Sequence, residues 1–137
     1  MNQRIFFYET GRTVGHAGVF STAPNLLNIM EMILQNGVWE GRSFLPAQLI
    51  GEMVQNQIPH LSDATGLGWE LKDSRFMGNF THELFGKRGF TGTVILGSMK
   101  QKKALVILSN RTYPHRPPNA DAINEFRTKI VNIVFSD

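Results

Sequence analysis

Apolar positions Leu26, Leu27, Met30, Ile33 and Leu34 recur at helical spacing behind two possible N-cap residues, Ser21 and Thr22. Pro24 suits a first helical turn and Gly37 a stop, so the pattern predicts a helix between them, with Met30 and Met32 as core packing. A second, shorter amphipathic helix is predicted from about Leu45 and Pro46, because Leu49, Ile50, Met53 and Val54 share one face before Pro59 forbids continuation. Gly66 to Leu71 reads as a short strand with a buried Trp69, and Asp73 to His82 as a polar loop. Thr91 to Ser98 and Lys103 to Ser109 are β-prone runs a few residues apart, which predicts an antiparallel hairpin. The ALVIL segment, Ala104 to Leu108, is apolar on both sides of the pleat and reads as a strand inside a sheet covered on both faces. Beyond a turn rich in proline at Pro114, Pro117 and Pro118, a terminal amphipathic helix is predicted on Ala122, Ile123, Phe126, Ile130, Ile133 and Val134. It is entered through Asn119 and packs on the sheet. Ahead of all this, Ile5 to Tyr8 is a candidate strand, followed by a loop through Gly11, Gly15 and Gly18.

A length of 137 residues predicts one domain, and neither repeats nor a linker divides it. With 42% hydrophobic and 18% charged residues the composition excludes a disordered chain. The absence of cysteine removes disulfides, thiolate metal sites and cysteine nucleophiles. No apolar run has the length of a membrane span and the opening residues lack a secretory pattern, so the chain as written reads as untargeted and cytoplasmic. Fourteen basic against eleven acidic residues leave +3. The cations are scattered except for Lys100, Lys102 and Lys103, which read as a solvated hairpin turn; an RNA site formed with Arg111 and Arg116 is the weaker alternative, and no nucleic-acid partner is expected.

Several chemistries fail on spacing. His82-Glu83 is not followed by the second histidine of a zinc helix, and His16, His60 and His115 are isolated, so no metal site is expected. Gly66-x-Gly68 lacks the third glycine of a dinucleotide fingerprint, Gly86-Lys87 lacks the rest of a phosphate loop, and no serine sits in G-x-S-x-G. What stands out is Phe85-Gly86-Lys87-Arg88-Gly89-Phe90-Thr91-Gly92-Thr93, with three glycines at three-residue spacing entering a strand. Such glycine content accommodates a bulge or close packing; it also allows a ligand to approach main-chain N–H groups able to hold an anion. The pattern alone leaves both readings open.

This segment joins others in a wider likeness. The blocks from Gly15 to Ala23, from Gly66 to Glu70, from Phe85 to Thr93 and from Leu108 to Pro114 resemble, in order and spacing, the C-terminal half of serine β-lactamase-related proteins. That family includes class C β-lactamases, penicillin-binding proteins and related esterases. The likeness covers residues 15–137, leaving 1–14 as an unmatched segment and possible edge strand. It implies an α+β fold: an antiparallel β-sheet flanked by helices, lacking the N-terminal strands and most of the helical subdomain of the intact family.

The family's third motif, K-T-G or H-T-G, falls on Lys87, Arg88 and Gly89. By resemblance, Lys87 is the cation that orients a substrate carboxylate and supports proton relay, and Gly89 permits close approach. The Phe90 N–H is an oxyanion donor, while Arg88, Gly89 and Thr91 line the substrate. Arg88 departs from the small hydroxyl residue expected there: it can clasp a carboxylate, and its bulk can equally obstruct the groove. The nucleophile is absent, since no serine is followed three residues later by lysine. No tyrosine or serine is followed two residues later by asparagine either. The resemblance therefore predicts a piece of an acyl-transfer hydrolase, inactive alone. The alternative is a non-catalytic module binding a carboxylate or peptide in the same groove. No cofactor is implied. The implied partners are a small-molecule or peptide substrate once an N-terminal half completes the site, and another copy through an open sheet edge. Family members are often exported or associated with the cell envelope.

Overall fold

Residues 18–136 are described by the structure, a computed structural model. The expectations for Ile5 to Tyr8 and for the glycines at 11 and 15 lie outside the described residues.

The first helix, α1, spans Ala23–Leu34, with Thr22 as N-cap accepting from the Asn25 N–H at 3.4 Å and Pro24 in its first turn. Its spacing buries Met30, Ile33 and Leu34, whereas Leu27 stays exposed. A tight hairpin that the sequence reading did not contain follows, β1 (Val38–Trp39) paired with β2 (Arg42–Ser43). Helix α2 (Ala47–Met53) comes next and buries Ile50 against α1.

The main sheet has five antiparallel strands in chain order: β3 (Ala64–Thr65), β4 (Glu70–Leu71), β5 (Leu84–Arg88), β6 (Val94–Ser98) and β7 (Lys103–Ile107). Side-chain alternation along β5 and β6 divides the apolar residues between two faces. Phe85 packs with Met30, Ile33, Leu34 and Ile50 on the α1 side. Leu84, Val94 and Leu96 pack with Phe76, Met77, Val131 and Phe135 on the other, the last two brought by the C-terminal helix α4 (Asp121–Val134). Helices thus flank an antiparallel sheet, as the resemblance implied. Gly97 in β6 lets α1 seat closely: a side chain there would run into Met30 and Phe85. Trp69 meets Phe85 edge-on, ring centres 5.2 Å apart, with its buried indole N–H lacking an acceptor among the described residues.

Four expectations need correction. The apolar run of β7 predicts a covered central strand; among the described residues β7 is an edge strand, and all five of its residues are only half-buried. Strand pairing confines the Gly66 to Leu71 strand to β4, and Trp69 is half-buried rather than buried. The stretch from Asp73 to His82 is no plain loop: it holds a short helix, α3 (Ser74–Met77), and a 3-10 turn (Gly78–Phe80) that sinks Phe76 and Met77 into the core. In α4, Phe126 and Ile133 are exposed, and the face turned inward is the one carrying Arg127 and Val131. Its N-cap is Ala120, one residue after the expected Asn119, whose Oδ1 accepts from the Asp121 N–H at 3.2 Å.

Candidate active-site groove

Strand β5 ends on Lys87 and Arg88, and its register with β4 sets Glu70 opposite Gly86, one residue before them. One carboxylate therefore meets both cations. Lys87 Nζ lies 3.2 Å from Glu70 Oε1 and Arg88 Nε lies 3.3 Å from Oε2. The second contact is an ion pair off the line of a hydrogen bond, for Oε2 accepts none among the described residues. Arg88 also reaches Asp73 Oδ2 at 3.4 Å and lies over the Phe76 ring, 5.7 Å from its centre. Its fork is thus already occupied by carboxylates of this chain, while the Lys87 head group remains more than half exposed.

Asp73 is held further by Arg75, whose Nε and Nη2 donate at 2.8 and 2.6 Å. Burial works to raise its pKa, but the hydrogen bonds from the Arg75 side chain and backbone, with the charges of Arg88 and Arg75, prevail and hold it below the usual aspartate value.

Beyond Arg88 the chain turns through Gly89 to Thr93. The Gly89 N–H donates to Thr93 O at 2.8 Å and the Gly92 N–H to Gly89 O at 3.1 Å. Gly92 has φ +107°, and a side chain there would strike Ser109 Oγ, so this turn requires glycine. The loop carbonyls are held by two arginines. Arg127, only 2% exposed, donates from Nε to Gly92 O (3.2 Å) and from Nη2 to Gly89 O (3.3 Å) and Thr93 O (3.0 Å). Its Nη1 donates to Asn124 Oδ1 at 3.2 Å. Arg111 donates from Nε to Phe90 O (3.0 Å) and from its backbone N–H to Thr91 O (2.8 Å). Phe90 lies under both Arg111 and Arg116, whose guanidinium carbons are 5.4 and 4.6 Å from the ring centre.

Burial, seconded by the charges of Arg88 and Arg111 and opposed by Glu70, lowers the Arg127 pKa from the ordinary arginine value. A pocket of about 230 Å³ opens between Glu70, Arg88, Phe90, Arg111, Asn124 and Arg127. On the loop, the Phe90 and Thr91 N–H groups donate to nothing among the described residues.

The residues singled out from sequence, Lys87 to Thr91, fall on this one strand end and turn. What sequence reasoning missed is their support. Glu70 and Asp73 come from β4 and the segment after it, Arg111 from the loop after β7 and Arg127 from α4. Arg127 carried a signal: it lies four residues from Ile123 and four from Val131, a cation within an apolar helical stripe. The lysines of the β6–β7 turn bind protein groups. Lys102 Nζ donates to Leu34 O at 2.8 Å, Lys103 Nζ to Val134 O at 3.3 Å, and Lys100 pairs with Glu83 at 3.5 Å. Among the described residues no group of three or more acidic or histidine side chains could hold a metal ion, and no helix is long and apolar enough to cross a membrane.

The profile of the Beta-lactamase family matches residues 2–128. Three similar proteins share the name "Putative D-alanyl-D-alanine carboxypeptidase". The one from Escherichia coli O157:H7 is 31% identical over 117 residues, and that from Escherichia coli strain K12 is 30% identical over 117 residues. Each match covers 81% of this chain and 26% of the relative. The protein from Salmonella enteritidis is 27% identical over 124 residues, covering 86% of this chain and 28% of the relative. The chain thus spans about a quarter of the length of these relatives.

Proposed function

This chain belongs to the beta-lactamase family, and we propose that it forms the lysine-bearing wall of a serine hydrolase site that works by acyl transfer on a peptide, ester or β-lactam. The observation that carries this reading is the loop after Lys87: its carbonyls are held from within, and the Phe90 N–H has no acceptor among the described residues. A tetrahedral intermediate requires such a donor where negative charge develops. In this reading Lys87, drawn toward Glu70 but exposed, attracts the substrate carboxylate and supports proton transfer. Gly89 keeps the strand end thin, Thr91 flanks the ligand, and Arg88 lines the pocket as a charge already matched by Glu70 and Asp73.

The attacking hydroxyl has to come from outside these 137 residues, because no serine in them precedes a lysine by three positions. The chain alone then binds without turnover. The name carried by the relatives makes a peptide ending in D-alanyl-D-alanine the first ligand to try. Titration of the ¹⁵N-labelled chain with D-alanyl-D-alanine is expected to move the amide signals of residues 87–93 saturably, and Lys87→Ala to abolish that response. No response in the wild type overturns the binding reading. A fluorescent penicillin is expected to leave no covalent label, and a label mapped to any serine of the chain overturns the missing nucleophile.

The edge position of β7 supports a further expectation, that another strand pairs there, from Ile5 to Tyr8 or from a second copy. Light scattering across a concentration series tests the second source.

A further inference from the structure

A trans peptide unit carries its C=O and N–H on opposite sides, so a group that grips the oxygen also aims the hydrogen. The unit joining Gly89 to Phe90 has its oxygen on the Arg127 guanidinium at 3.3 Å and on the Gly92 N–H at 3.1 Å. The next unit, joining Phe90 to Thr91, has its oxygen on Arg111 Nε at 3.0 Å. Two successive peptides are thus each held by a cation at the carbonyl end, and their N–H ends, Phe90 and Thr91, have no acceptor among the described residues. No carboxylate lies within ion-pairing distance of Arg127 or Arg111 among the described residues. Both arginines direct their hydrogen bonds chiefly onto main-chain carbonyls.

We infer that Arg127 and Arg111 are positioning residues that orient and polarise the Phe90 and Thr91 N–H groups into a paired donor for an anion. Charge-assisted hydrogen bonds at a carbonyl draw electron density from the amide and strengthen the donor at its other end, because bonds in a chain polarise one another. The positive charge reaches the anion through the peptide: Arg127 is buried, and both guanidinium groups are engaged by main-chain carbonyls. Arg127 spans three carbonyls, Gly89, Gly92 and Thr93, from one planar group, a geometry that a lysine head cannot reproduce. The inference rests on the reading of the previous subsection only in taking the anion to be a carboxylate or an oxyanion.

The test follows the Phe90 and Thr91 amide protons by NMR in the whole chain, first without ligand and then during titration with sodium acetate at constant ionic strength. Arg127→Met is expected to shift the Phe90 proton upfield, with Arg127→Lys restoring part of the shift. Arg111→Met is expected to do the same at Thr91. Each methionine variant is expected to weaken acetate binding by about two- to fourfold, the scale of the lost polarisation of one donor. Folded variants with unchanged amide shifts and wild-type acetate affinity overturn the inference. Should Arg127→Met fail to fold, Arg111→Met decides alone, since an unchanged Thr91 proton and affinity overturn the inference by themselves. If the ligand-free shifts move as expected but the wild type binds no acetate, the polarisation stands and the functional reading of the groove falls.

Discussion

The two turns that bracket β6 are built from similar materials and treat their polar groups in opposite ways. The β6–β7 turn ties its donors to the frame. Ser98 Oγ donates to Glu83 at 2.7 Å and accepts from the Gln101 N–H at 3.0 Å, Gln101 Nε2 reaches Phe135 O at 3.1 Å, and Lys102 and Lys103 cap the last carbonyls of α1 and α4. That turn fastens both helices to the sheet. The β5–β6 turn has its carbonyls held by arginines arriving from elsewhere, and its Phe90 and Thr91 N–H groups have no acceptor among the described residues. At an exposed residue such as Phe90 an open N–H is satisfied by water, so this well-supported loop keeps donors that a ligand can take over.

The largest expected effect breaks both turns together. Leu96→Ala removes a fully buried side chain from the strand they share, and is expected to cost about 2–5 kcal/mol of unfolding free energy in a urea titration. A smaller loss confined to the β5–β6 turn is expected of Gly92→Val, which forces a branched residue to φ +107° against Ser109, at about 1–3 kcal/mol. Amide shifts of residues 99–102 should stay in place in that variant; if they move, the two turns are not independent.

Smaller again, Ser98→Ala is expected to cost about 1 kcal/mol near neutral pH while leaving the amides of residues 89–93 unmoved. The variant also has a pH signature. The Ser98 hydroxyl, with Gln101 and Lys100, holds the Glu83 pKa below its ordinary value against the opposing effect of burial. A carboxyl whose folded pKa is depressed contributes its stability above the unfolded pKa and loses it as pH falls through the folded one. The difference between wild type and Ser98→Ala should therefore be greatest above the ordinary carboxylate range and shrink in acid. A gap that widens toward low pH contradicts this assignment.

Legibility in the sequence followed the range of the interactions. Helix α1, the β6–β7 hairpin and the existence of α4 rest on short-range periodicity and capping, which Thr22, Pro24 and Asn119 announce locally. Lys87 to Thr91 were legible through their glycine spacing and family likeness. The supports of the groove were not, because they act over distance in the chain: Arg127 meets carbonyls 34 to 38 positions away, and a main-chain acceptor has no residue type to recognise. Phe76, Met77 and Phe80 escaped because three apolar residues in a polar stretch, though helically spaced, span little more than one turn. The β7 edge escaped because an apolar run reports that both faces are to be covered, not which neighbours it has in the described residues.

The bare indole of Trp69 makes the molecule its own instrument. Half-buried, with no acceptor for its N–H among the described residues and set edge-on to the ring of Phe85 two positions before Lys87, it is coupled to the strand that bears the lysine. The only other tryptophan, Trp39, sits beside Phe44 on the small hairpin, so Trp39→Phe leaves a single emitter whose colour follows that strand without any attached dye.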